Sequence, residues 1–192
     1  MRLRISKMAH LARSKILKFS LKSSITEERS YFALTLVTGV LSALIAVALY
    51  KSVGILKDIL GTTAEFSTKS VVCGSILIFI SGWLTTRKFK NSAGSGIPGV
   101  RVALAVHHGV LSLKDTIAKF FTSLLSLSCG FSLGREGPTA TVAAGIGSYL
   151  GSYFHLSKKR VKALVAVGTA GGIAAAFNTP MAAVVFTLEE VV

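Results

Sequence analysis

The sequence predicts an all-α, polytopic membrane protein, and three observations carry that expectation. Only 16% of its 192 residues are charged and 51% are hydrophobic, whereas a soluble domain carries about 25% charge. Mean hydropathy is +0.63. Long uncharged runs alternate with short basic segments, as lipid-spanning helices alternate with retained cytoplasmic loops.

Residues 1–30 form the first element. They hold eight Lys/Arg against Glu27 and Glu28, which supplies +6 of the net +14. On a helical wheel Arg4, Lys7, Lys15, Lys18 and Lys22 share one face, and Ile5, Met8, Ala12, Ile16 and Phe19 share another. That pattern predicts a basic amphipathic helix on the cytoplasmic membrane surface, with amines near anionic headgroups. A basic tail without regular structure is the plainer alternative. The basic region is too long for a secretory signal.

Residues 31–50 are uncharged and long enough to cross about 30 Å of hydrocarbon as a helix. Residues 51–69 read as a mixed-charge loop and 70–86 as a second, shorter apolar run, followed by Arg87-Lys88-Phe89-Lys90. The positive-inside rule puts the N-terminus and residues 87–90 in the cytoplasm. Residues 102–113 and 120–134 are apolar but too short for ordinary spans, which predicts broken or re-entrant helices. Residues 139–157 form a longer run, and 158–162 read as another basic loop. The uncharged stretch 163–188 is interrupted at Asn178-Thr179-Pro180, where the residue before proline leaves the α region. Ala143, Gly147 and Gly151, and again Gly168, Gly172 and Ala176, recur at helical spacing; such faces let helices approach closely in lipid.

Other chemistries find little support. Cys73 and Cys129 both lie in apolar stretches without a second thiol at metal-ligand spacing, so they read as small buried hydrophobes. His107 and His108 are adjacent and point about 100° apart on a helix, a poor arrangement for sharing a metal. A basic nucleic-acid-binding face needs a soluble domain to display it. No nucleophile–base pair, metal set or cofactor loop emerges, so the chain reads as a non-enzyme with no cofactor.

Two glycine-rich loops carry the chemistry that remains. They are Gly94-Ser95-Gly96-Ile97-Pro98-Gly99 and Gly134-Arg135-Glu136-Gly137-Pro138. In each, proline falls near a first helical turn, where its missing N–H costs nothing. Each loop therefore predicts a helix N-terminus with unpartnered amides and a positive dipole end. Two such termini in a membrane can hold an anion without a full positive charge, which suits release as well as binding. Glu136 is an ionisable residue at membrane depth. Its carboxylate mimics the anion and can block the site; protonation frees it. Glu189 and Glu190 close the last apolar run, either as interfacial carboxylates or as part of a proton relay.

These loops, with Ala174-Ala175-Ala176-Phe177-Asn178-Thr179-Pro180 running into Phe186-Thr187-Leu188-Glu189-Glu190, resemble the CLC family of voltage-gated chloride channels and Cl−/H+ antiporters. The resemblance covers about residues 30–192 and matches the family's first half. It implies the first inverted-repeat half of a CLC-type fold with broken and re-entrant helices. The division is then residues 1–30 as the cytoplasmic segment and 31–192 as half of the transmembrane domain. It implies that Ser95, with Gly96 and Ile97 beside it, holds chloride, and that the amides of Arg135, Glu136 and Gly137 line an outer anion site. It implies that Glu136 is the gate and Glu190 the inner proton-transfer residue. Channel members commonly have an apolar residue at the Glu190 position, which favours Cl−/H+ exchange over a passive channel. The partners implied are chloride, protons, the lipid bilayer and a second copy in a full-length homodimer. Gly99 stands where the family usually has glutamate. The family's second-half Gly-x-Phe-x-Pro loop and late tyrosine are not in the sequence. The expectation is therefore an N-terminal fragment of a longer antiporter. The alternatives are part of a passive channel, or a truncated membrane protein with no transport of its own.

Overall fold

The computed structural model describes residues 2–61, 68–94, 96–129 and 133–192, with side chains from residue 28 onward apart from 69, 70 and 91. The side chains of the amphipathic segment expected over residues 4–22, and Ser95, lie outside the described residues. Among the described residues there are seven α-helices and no strand: α1 Arg2–Leu60, α2 Thr68–Arg87, α3 Ile97–Ala105, α4 Leu113–Ser128, α5 Glu136–Tyr153, α6 Lys158–Phe177 and α7 Pro180–Phe186. A 3₁₀ turn, Lys90–Ser92, precedes the first glycine loop, and a π-helical turn, Thr187–Val191, follows α7. Within these helices Glu28–Leu60 and Lys158–Phe177 are long and apolar enough to cross a membrane.

Two compact units result, Met1–Val37 and Thr38–Val192. In the first, the Thr35 hydroxyl donates to the Tyr31 carbonyl at 2.9 Å, so its polarity is satisfied within the helix. The second unit carries both glycine loops and the site.

The core of the second unit is the α5–α6 pair. Its small-residue faces meet as their spacing predicts. A Cβ on Gly168 would lie 2.6 Å from the Ala143 carbonyl oxygen, and one on Gly151 would lie 3.1 Å from Val161. Gly147 lies against the backbone of Leu164 and Val165, and Gly172 against the Ala143 methyl. Polar groups at the pair's edges are paired locally. The Ser42 hydroxyl donates to the Ala143 carbonyl, and the Leu111 amide donates to the Ser148 hydroxyl. Helix α2 is tied to α4 by Ser81, whose hydroxyl donates to the Thr122 carbonyl and lies 2.7 Å from that of Ser126. Cys129 is buried and Cys73 half-buried, both as free thiols.

The expected element bounds need four corrections. Residues 51–60 are helical, not loop, because Lys51, Lys57 and Asp58 are compatible with a helix face that reaches solvent, Gly54 costs only about 1 kcal/mol within a helix, and positive φ first occurs at Gly61. The expected segment 102–113 is mostly a turn: α3 starts earlier, at Ile97, and ends at Ala105, after which His108 and Gly109 take positive φ. The expected segment 120–134 is displaced, since α4 begins at Leu113 and includes Lys114, Asp115 and Lys119. Residues 158–162 open α6 instead of forming a loop, since Lys and Arg propagate a helix well when their charges reach solvent. The break at Asn178-Thr179-Pro180 stands where the sequence puts it. Asn178 is left-handed at φ 55°, Thr179 is non-helical, and Pro180 opens α7.

Candidate functional site

Both glycine loops deliver a helix N-terminus. The first intrahelical bond of α3 runs from the Val100 amide to the Gly96 carbonyl, and that of α5 from the Thr139 amide to the Arg135 carbonyl. The helices therefore leave the amides of Ile97, Gly99, Glu136 and Gly137 without intrahelical acceptors, and Pro98 and Pro138 bring no donor.

The two termini are in contact. Gly96 is buried with φ 103°, and a Cβ there would lie 2.8 Å from the Gly137 carbonyl oxygen and collide with the Thr141 side chain. Only glycine combines this φ with so close an approach. The Thr141 hydroxyl donates to the same Gly137 carbonyl at 2.8 Å, which fixes the first turn of α5. Gly94, Ile97, Glu136, Gly137 and Pro138 then line one cavity of about 440 Å³.

Glu136 also lines a second cavity of about 620 Å³, together with Tyr50, Lys51, Lys57, Arg135 and Phe177. The carboxylate thus stands between two openings and is exposed. Arg135 is its neighbour in sequence but not its salt-bridge partner. The guanidinium lies 4.8 Å from the Tyr50 ring centroid and 5.5 Å from that of Phe177, within cation–π range of both. The positive charge is held on aromatic faces supplied by α1 and α6, which fixes the loop and leaves the carboxylate facing the cavities.

Two charged residues that sequence reasoning did not single out belong to this arrangement. Lys119 on α4 is 5% exposed and lines the first cavity. Its ammonium donates to the Ser92 carbonyl at 2.9 Å and the Gly94 carbonyl at 2.6 Å. A buried ammonium needs such partners, and here both lie in the approach to the first glycine loop. The signal was a lone lysine beside an apolar run, hidden because the run was started at Phe120. The other residue is Arg101 on α3, whose Nη1 lies 3.7 Å from Glu190 Oε2.

The structure brings Gly96, Ile97, Glu136 and Gly137 together and holds Arg135 beside them. Glu190 stands apart from both cavities that Glu136 lines, in the π-helical turn after α7.

Residues 77–192 match the family described as Voltage gated chloride channel. The H(+)/Cl(-) exchange transporter ClcA of Vibrio cholerae serotype O1 is 31% identical over 170 residues, covering 84% of this chain and 36% of that protein. ClcA of Vibrio campbellii is 29% identical over 194 residues, covering 96% of this chain and 42% of that protein. Among solved structures, a CLC-type fluoride/proton antiporter superposes with TM-score 0.71 at 25% identity, covering 83% of this chain and 39% of that one. A slow cyanobacterial Cl−/H+ antiporter superposes with TM-score 0.62 at 29% identity, covering 84% of this chain and 39% of that one. The fold is thus all-α and corresponds to part of a CLC-type transmembrane fold. The chain spans about two fifths of the length of the relatives it matches.

Proposed function

The chain belongs to the voltage-gated chloride channel family, and from that premise we propose that it forms the N-terminal half of the anion path of a Cl−/H+ antiporter. In this reading chloride is held by the helix N-termini of α3 and α5: by Ser95, Gly96 and Ile97 on one side and by the amides of Arg135, Glu136 and Gly137 on the other. Glu136 is the gate. Its ionised carboxylate competes with chloride for the same amides, and its protonated form yields the site. Glu190 passes protons to and from the opposite aqueous side. The basic residues 1–30 lie on the cytoplasmic surface, and residues 31–192 supply the transmembrane half.

The observation that carries the reading is one cavity of about 440 Å³ into which both helix N-termini and Glu136 open. Backbone amides and dipole ends attract an anion less tightly than a free ammonium, and the Lys119 ammonium in the lining is engaged by the Ser92 and Gly94 carbonyls, so the ion can leave as well as enter. A carboxylate in the same cavity is itself an anion on a swinging side chain, which gives the site a competitor that responds to protons. The relatives named as proton-coupled exchangers support exchange over passive conduction.

The test is Glu136→Gln in the whole protein that carries these residues, reconstituted in liposomes. Chloride flux should persist while its pH dependence and the accompanying proton movement disappear. An unchanged pH dependence would remove Glu136 from the gate. If the unmodified protein moves chloride without protons, antiport gives way to passive conduction.

A further inference from the structure

We propose that Arg101 is a positioning residue that ties Glu190 to the anion loops through helix α3, so that a proton on Glu190 loosens the helix whose N-terminus holds the anion. This rests on the reading of Glu190 as the inner proton-transfer residue.

The tie is a charged contact on top of an apolar one. Arg101 Nη1 and Glu190 Oε2 are 3.7 Å apart, with side chains 58% and 55% exposed. Beneath them, Val191 is buried in one cluster with Val100 and Leu104, so the residue after Glu190 shares a core with the buried face of α3. The π-helical turn Thr187–Val191 closes with the Val192 amide on the Thr187 carbonyl at 3.1 Å. That wider turn presents Glu189 and Glu190 outward while Thr187 and Val191 stay buried. Such turns are frequent at functional sites.

The other end of α3 is the anion loop. Arg101 stands five residues beyond Gly96, about 7.5 Å along the axis at 1.5 Å per residue. Gly96 is closed against the backbone of Gly137, the residue after Glu136, and against the Thr141 side chain. A helix of nine residues is too short to absorb a displacement within itself, so a change at Arg101 reaches Gly96. One carboxylate is therefore tied at the middle of α3, and the other lines the same cavity as the helix's first residue, Ile97.

The proton step is simple. Water-borne H+ binds a Glu190 carboxylate oxygen, the carboxyl becomes neutral, and the attraction for the guanidinium is lost. Deprotonation restores it. The other charged groups on elements packed against this turn are Glu189 beside it and Lys158, Lys159, Arg160 and Lys162 at the start of α6; α7 carries none. Arg101 is the one charged residue on α3. An exposed ion pair is a weak tie, so the device shifts anion affinity by a small factor and does not switch it off.

A double-mutant cycle on chloride affinity tests this in the whole protein, by calorimetric titration with chloride at one fixed pH. Arg101→Gln and Glu190→Gln should each weaken chloride binding about two- to fivefold, the range an exposed pair supports. The double variant should be no weaker than either single one, because both remove the same tie. Arg101→Lys should restore most of the affinity. Losses that multiply, or no loss at all, would overturn the proposal. Proton movement in Glu190→Gln is measured separately by liposome acidification. If protons still move uphill there, the proton-transfer reading of Glu190 fails, while the affinity cycle still reports whether the tie exists.

Discussion

The α5–α6 pair and the two glycine loops use the same residue for opposite ends. In the pair, Gly147, Gly151, Gly168 and Gly172 each have a neighbour inside the space a side chain would need. There glycine is a surface that lets two backbones touch. In the loops, Gly94, Gly99 and Gly134 have nothing within 4 Å of an added Cβ. There glycine leaves backbone amides open to a cavity. Gly96 does both, since it seals one loop against the other and also lines a cavity. The pair is a close-packed frame that fixes where α5 begins, and the loops are left unfilled beside a cavity. Substitutions should separate the two, by stability in the frame and by ion binding in the loops.

The largest effect is expected in the frame. Gly147→Val would drive a branched side chain into the Leu164 carbonyl, whose carbon would lie 2.7 Å from the new Cβ, with Val165 Cα at 3.0 Å. Backbone cannot rotate away as a side chain can, so α5 and α6 must separate. The expected loss is about 3 kcal/mol or more, at the upper end of overpacking costs. Thermal unfolding in detergent measures it. An unchanged midpoint would mean that the small-residue faces do not hold the pair together.

The same contrast explains what was legible in the sequence. Repetition of Ala143, Gly147 and Gly151 against Gly168, Gly172 and Ala176 predicted the frame because close packing imposes a period on sequence. The loops were legible through proline and glycine, which mark a helix start by what they lack. Charged side chains within helices were not legible. Lys51 and Lys57 sit on α1, and Lys158, Lys159, Arg160 and Lys162 open α6, although hydropathy assigned both stretches to loops. Hydropathy scores transfer to lipid, and a helix that reaches water obeys backbone propensity instead. Lys119 was missed for a related reason: its partners are the carbonyls of Ser92 and Gly94, and main-chain acceptors leave no trace in composition. Arg101 and Glu190 lie 89 positions apart, and only the fold brings them together.

Lys119→Met probes the loop side at intermediate size. The thioether fills similar volume but leaves two carbonyls without their charged donor. Loss of such bonds costs about 1.5–3 kcal/mol each, partly offset here because a buried charge also disappears. The expected net loss is about 2 kcal/mol, with a local signature: hydrogen exchange should rise through residues 92–97 and stay protected in α5 and α6. Uniform loss of protection would mean that Lys119 supports the frame itself, and the division between frame and loops would fall.

The smallest effect is also the sharpest test, because it runs in the stabilising direction. Gly99 lies in the first turn of α3, three residues from Gly96, yet a Cβ there meets nothing within 4 Å. At Gly96 a methyl group has no room. At Gly99 it has room and reduces the backbone entropy that glycine loses in a helix, a gain of about 0.5–1 kcal/mol. Alanine keeps the N–H, and with the first helical bond of α3 starting at Val100 that amide stays available at the helix N-terminus. Gly99→Ala should therefore raise the unfolding midpoint slightly and leave chloride affinity unchanged in titration calorimetry. A lower midpoint would show that another part of the whole protein packs against this turn. Weaker chloride binding at an unchanged midpoint would show that Gly99 gives the anion its approach. Glycine there would then serve the ion by its missing side chain, as Gly147 serves α6, and the contrast between frame and loops would narrow to which surface comes that close.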